Sequence, residues 1–303
     1  MGRWRVPAAA LSGVLVGMLL AGPQSVRATW EQLTQILSLR GDPVPASANV
    51  LSEHHLELLD RQPPQDQATF LLERAMNHYR GATDQIAARV GGWRGQLTLD
   101  EPLNRLFATA INSDDLRVRA AALDINIVAR GHEKTTEAMD RLEPIAFSGE
   151  QGPRANALWD MALIGNRGVD PDRALRVLLA SVDDSNVNIR YWAVEGLAYL
   201  GTDAVITPLL EVFRNDPSPM IRERAACGLS QSGMLSEGQR RTAVPRLLEF
   251  AEDWSLDPDT RKWVFQALRD ITGQTLPHDA SAWRTWYGTN NGQWKPVTRD
   301  GNP

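Results

Sequence analysis

Cysteine is almost missing from this chain. Its 303 residues include one, Cys227, so no intramolecular disulfide can form and stability has to come from packing. Catalytic signatures are missing too: there is no paired-cysteine pattern, no H-E-x-x-H, no G-x-S-x-G elbow and no phosphate-binding glycine loop. Glu53-His54-His55 with Glu57 and the distant His78 do not amount to a metal site, because neighbours on a helix point about 100° apart and cannot easily share one ion. Asp253, Asp257 and Asp259 lack the glycine and spacing of a calcium loop, and Pro258 between them reads as a helix start. Cys227 sits among Ala225, Ala226 and Leu229, where a small buried hydrophobe is expected. The expectation is therefore no cofactor, no metal and no catalytic residue. Positive charge is also in short supply, with 32 Lys+Arg against 37 Asp+Glu and a net charge of -5. Such a balance repels nucleic-acid backbones.

Long apolar runs are absent as well. The uncharged stretch from Ala8 to Ala21 is shorter than the roughly 20 residues a spanning helix needs. It follows Arg3 and Arg5 and precedes Val26-Arg27-Ala28, the order of a secretory signal peptide cut after Ala28. A retained anchor is the alternative. No cysteine follows Leu19-Leu20-Ala21-Gly22, so the lipid-attachment pattern is missing. The expected product is periplasmic or secreted, without stable membrane insertion.

What the sequence does have is a repeat. Val118-Arg119, Pro153-Arg154, Ile189-Arg190 and Ile221-Arg222 each open a segment with alanine three residues after the arginine, and Lys262 starts a looser copy. The intervals from Arg119 to Lys262 are 35, 36, 32 and 40 residues, a period that marks a helical solenoid. Inside each copy the apolar residues follow helical spacing, as in Ile189, Trp192, Ala193, Gly196 and Leu197. Gly165, Gly201, Gly233 and Gly273 are placed as left-handed helix ends. A second apolar helix precedes each copy, as in Leu175, Leu178, Leu179 and Val182. Between the two helices lie Asp114-Asp115, Asp183-Asp184, Asp216-Pro217 and Asp257-Pro258-Asp259, which are turn and N-cap chemistry.

The segments "DDLRVRAAALDINIVARG", "SNVNIRYWAVEGLAYLG" and "SPMIRERAACGLSQSG" resemble second helices of bacterial HEAT-like repeats, and the resemblance covers residues 101 to 287. It implies an all-α fold, a right-handed α-solenoid of HEAT-type helical hairpins. Helical caps are expected at both ends: an N-terminal one over residues 51–100 and a Trp-rich C-terminal one in which Asp279 or Ser281 starts a short helix bearing Trp283, Trp286 and Tyr287. Residues 29–50 read as a short helix and linker, and 288–303 as a disordered tail. HEAT arrays serve as scaffolds, adaptors and receptors, with a minority in bilin lyases, so the resemblance implies binding of a protein partner. An enzyme of the HEAT-like lyase type and a glycan-binding protein are the alternatives.

Two sets of residues stand out within the repeats. Trp159, Tyr191 and Trp263 fall on one helical face in different repeats and are candidate partner-binding residues, since large aromatics dominate interface hot spots; packing between neighbouring repeats is the competing reading. Arg119, Arg154, Arg190, Arg222 and Lys262 form a ladder. The HEAT resemblance implies that these pair structurally with acids between adjacent units, such as Asp183, Asp184 or Asp216.

Overall fold

The computed structural model describes residues 50–290. The chain divides into two compact units, Met1–Val50 and Leu51–Pro303. The signal segment with its cleavage point, the short helix and linker, and the tail beyond residue 290 lie outside the described residues. The second unit is an all-α solenoid, and no helix among the described residues is long and apolar enough to cross a membrane.

Three helices lead the unit: α1 (Glu53–Leu59), α2 (Pro64–Met76) and α3 (Ala82–Arg89). The third was not anticipated from the sequence. Gly81, in the left-handed region at φ 88°, turns the chain into it, and its short apolar stripe rests on Ala82 and Ile86 alone. Five hairpins follow: α4 (Glu101–Ala110) with α5 (Leu116–Ala129), α6 (Thr136–Ala146) with α7 (Gln151–Asn166), α8 (Pro171–Leu179) with α9 (Val187–Leu200), α10 (Ile206–Asn215) with α11 (Pro219–Ser230), and α13 (Val244–Glu252) with α14 (Pro258–Thr272). An extra helix, α12 (Glu237–Thr242), is inserted before the last hairpin. Ser236 and Gln239 close a capping box at its start. The terminal helix α15 (Ala280–Thr289) begins at Asp279, whose side chain accepts from the Ser281 amide at 2.8 Å. Trp283 of α15 is fully buried, and Trp286 and Tyr287 pack against the array. The helix runs two residues beyond the expected boundary at 287.

The first helix of each hairpin buries one stripe, but the second is covered on several sides. Ten of the fourteen residues of α5 are buried, because it separates two apolar clusters. Val118, Ala122 and Ile125 belong to the cluster built on the leading helices, whereas Leu123 and Ile127 belong to the one that continues to Trp283. A helix enclosed in this way needs apolar residues on more than one face.

Two expected helix ends are placed differently. Gly201 and Gly273 end α9 and α14 in the left-handed conformation, whereas α11 is capped by Gln231, ahead of the left-handed Gly233, and Gly165 lies inside α7. A Cβ there would stand 2.9 Å from both Ala174 and Leu200, so Gly165 is required by close helix approach. The left-handed turn falls at Gly168 instead.

Candidate functional site

The arginine ladder is the frame on which any surface of this array is built. Arg154 Nη2 donates to Asp184 at 2.7 Å. Arg190 forks onto both oxygens of Asp216 at 2.9 and 3.3 Å, and Arg222 reaches Asp257 at 3.0 Å. Each arginine also donates to a carbonyl in its own hairpin turn, Ala146, Asp184 and Asp216 respectively. Asp184 and Asp216 therefore each join two repeats, the side chain holding the preceding arginine and the carbonyl holding their own. The Asn186 amide and then Arg154 keep the Asp184 carboxyl below the usual aspartate range, against a rise from burial. Asp183, the other acid considered, is exposed and stands outside the ladder. Lys262 is exposed at the far end.

Arg119 departs from the pattern. It keeps the bond to its own turn, at the Ser113 carbonyl, but the turn ahead of α7 supplies Ser148 where the later turns supply Asp184 and Asp216, and the Arg119 guanidinium donates to the carbonyls of Gln231, at 3.0 Å, and Gly233. These lie 112 and 114 residues along the chain, in the loop after α11. Tyr199 makes a parallel bridge, its hydroxyl 3.5 Å from the Ile111 carbonyl. The array thus bends far enough to bring its first hairpin against its third and fourth.

That bend decides the fate of the candidate aromatic stripe. Trp159 is 8% exposed and donates from its indole nitrogen to Asn126 at 3.2 Å. Its ring meets Tyr199 and Trp192 edge-on at centroid distances of 4.9 and 5.8 Å, and Trp192 meets Tyr191 at 5.7 Å. Tyr191 and Trp263 are half-buried against the same cluster. The three rings expected to line a surface are thus packed into or against the core, and Trp159 is closed to a partner. The reason is that the second helices carry the inside of the bend, where large rings fill volume.

Buried charge is equally committed. Asp124 of α5 accepts from Arg167, just past α7, at 3.0 and 3.2 Å and from Lys134 at 2.9 Å. Reciprocally, Asp160 of α7 takes Arg130, just past α5, and His132 at 3.0 Å. Both acids are 3% exposed, and the crossed pairs lock the first two hairpins together. Farther along, Glu195 pairs with Arg224, which also reaches Ser232 at 2.7 Å. Burial pushes the Glu195 carboxyl up while Arg224 pulls it down. Burial also raises the nearby Cys227 thiol, with Glu223 and Asp270 adding to the rise, and pushes the Tyr199 phenol up to about 12. A thiol held protonated is a poor nucleophile. The sequence pattern gave no sign of these acids, because acid and base come from different repeats.

Exposed apolar area is found elsewhere. Phe147 (55% exposed) and Trp254 (86%) lie in the turn between the two helices of a hairpin, and Val187 (41%) and Met220 (49%) in the first turn of the helix that follows it, one in each of four successive hairpins. Ile145 and Leu179, at the ends of α6 and α8, are exposed beside them. Trp254 is held in place, with the Arg261 guanidinium 4.9 Å from its ring centroid and bonded to the Leu256 carbonyl at 2.9 Å. Adjacent helices pack about 10 Å apart, so these four side chains span on the order of 30 Å. A tryptophan inside the turn Asp253-Trp254-Ser255 was the signal available in the sequence, since such positions are ordinarily polar. Among the described residues no group of three or more His, Cys, Asp and Glu is placed to hold a metal ion.

Residues 139–230 match the family of HEAT repeats. That stretch carries HEAT repeats. The matched stretch runs from the first helix of the second hairpin to the end of α11, so it contains the Asp184 and Asp216 rungs of the ladder. A crystal structure of an engineered protein is similar over 71% of this chain and 94% of its own, at 16% identity and a TM-score of 0.31. No curated protein matches the chain.

Proposed function

We propose that this HEAT-repeat scaffold is exported and holds a protein partner along the edge formed by its hairpin turns, without catalysis. The row of Phe147, Val187, Met220 and Trp254 carries the reading. Scattered apolar residues on a surface need no explanation, but an exposed apolar side chain in or beside the turn of each of four successive hairpins makes a recurring apolar edge. Trp254, exposed with Arg261 against its ring, has the character of an interface anchor. The lyase and glycan-binding alternatives draw little support, since the rings proposed to line a ligand surface are packed inward and the Glu195 carboxylate is held by Arg224.

The test is cross-linking in the cell envelope, comparing the wild-type chain with a Phe147→Ser, Met220→Ser, Trp254→Ser variant of unchanged helicity. A partner captured by the first and lost by the second is the expected result. Equal capture by both would show that the edge is not the contact surface. N-terminal sequencing of the fractionated protein tests export, with Thr29 as the expected first residue; recovery of the uncut chain in the cytoplasm would remove that part of the proposal.

A further inference from the structure

The edge that carries the apolar row also carries a groove, and its lining differs in charge from a plain hydrophobic slot. The groove lies between the ends of α8 and α10 and encloses about 630 Å³. Its apolar lining comes from Leu179, Val182, Pro208 and Val212. Four acids, Asp183, Asp184, Glu211 and Asp216, stand around it with a single cation, Arg190. That cation is consumed, because Arg190 is forked onto Asp216 and bonded to the Asp184 carbonyl. Asp184 is held by Arg154. Asp183 and Glu211 are exposed to solvent; Glu211 receives only the Asn215 amide at 3.0 Å and stands 3.8 Å from Arg246. At the mouth of the apolar groove this leaves Asp183, and Glu211 with Arg246 beside it only at 3.8 Å, and no uncommitted cation in the lining.

We infer that this groove takes a basic, extended segment of the protein partner, seating an aliphatic side chain on Leu179 and Val212 and placing Lys or Arg against Asp183 and Glu211. The inference deepens the scaffold reading and rests on it. The occupant follows from charge complementarity. An acidic segment would meet Asp183 and Glu211 with no uncommitted cation in the lining, since Arg190 is forked onto Asp216, and like charges brought together across an interface are unfavourable. A purely apolar segment would partly desolvate Asp183 and Glu211 while adding a partner for neither. A segment that alternates aliphatic and basic residues satisfies both features. Val187 and Met220 flank the groove on the same edge, so a segment of about nine residues could contact the groove and the row together at about 3.3 Å per residue.

The experiment is selection of a phage-displayed random dodecapeptide library on the purified full chain, followed by affinity measurement of the recovered peptides at low and high salt. Three proteins are compared: wild type, Asp183→Lys with Glu211→Lys, and the triple serine variant of the row. Asp183→Asn with Glu211→Gln serves as a milder pair, and unfolding midpoints check that all remain folded. Enrichment of peptides rich in Lys or Arg with aliphatic residues, at least about tenfold weaker binding to the charge-reversed chain, and affinity that falls with salt are expected. No enrichment, enrichment of neutral or acidic peptides, or equal binding to the charge-reversed chain would each overturn the inference. Self-association lost on charge reversal would assign the groove to a second copy and overturn it too. The outcome separates from that of the scaffold reading: a charge-reversed chain that still captures its envelope partner through the row leaves the scaffold standing and removes the groove.

Discussion

The inside of the bend and the edge of hairpin turns are built from the same helices, yet they use their large side chains in opposite ways. Inside, Trp159, Trp192, Tyr199 and Tyr191 meet edge-on in sequence, and Asp124, Asp160 and Glu195 are each held by a cation. At the edge, Trp254 and Phe147 face solvent while the ion pairs below them hold the turns. Aromatic content alone therefore does not mark a contact surface; what matters is whether the ring is left uncovered once neighbouring repeats have packed.

Truncations should separate the two regions most sharply. Trp159→Ala removes a buried ring and its bond to Asn126, and should cost about 3–5 kcal/mol in urea unfolding; a loss under about 1 kcal/mol would mean the ring is not part of the core. Arg190→Ala strands Asp216, which is 8% exposed, and about 3 kcal/mol is expected by the same measurement. Arg119→Ala removes bonds that tie the first hairpin to the loop after α11. It should lower stability by roughly 2 kcal/mol and speed amide exchange at Met234, which donates to the Ala198 carbonyl beside that loop. Unchanged exchange would show that the bridge does not hold the bend. Trp254→Ser should stay within about 0.5 kcal/mol of wild type while weakening capture of the partner, and a large loss of stability would place Trp254 in the core instead.

Titration sharpens the comparison further. Asp253 at the edge is held down to about 2 by the Ser255 hydroxyl and amide and by Arg214. Its folded value lies below the unfolded one, so the stability it contributes is present above about pH 4 and is lost as pH falls toward 2. Asp253→Asn should flatten that part of the acid-unfolding profile, and an unaltered profile would deny the linkage. Glu195, inside the bend, has the opposite sign. Its raised value means that the folded state binds the proton more readily than the unfolded chain, so this group favours folding as pH falls through that value. The smallest expected effect is chemical: Cys227, raised by burial, should react with a maleimide at neutral pH more slowly than a free thiol does, and labelling at the free-thiol rate would contradict its environment.

Much of this architecture was legible because it is local. The spacing of Arg154, Arg190 and Arg222, the alanines after them and the turn aspartates follow a helical period that the chain repeats, and the HEAT resemblance implied acid partners among Asp183, Asp184 and Asp216, of which the last two are used. The helix at Asp279 and its buried Trp283 were likewise readable from a cap residue and an aromatic cluster. Less periodic elements escaped: α3 is eight residues long and opens on a glycine, and α12 interrupts the repeat. Gly165 looked like a helix end because its position in the repeat matched Gly201, but the approach of Ala174 and Leu200 made it a contact point within α7.

The sequence by itself determined a solenoid of helical hairpins with an arginine ladder, because those features depend on residues within one repeat or the next. Only the tertiary structure decided which rings are covered, where Arg119 points, how Asp124 and Asp160 are crossed, and that the exposed apolar row and the acidic groove share the turn edge. The physical reason is curvature. Small offsets between successive hairpins accumulate until the first reaches the loop after the fourth, and no pattern within a single repeat records that sum.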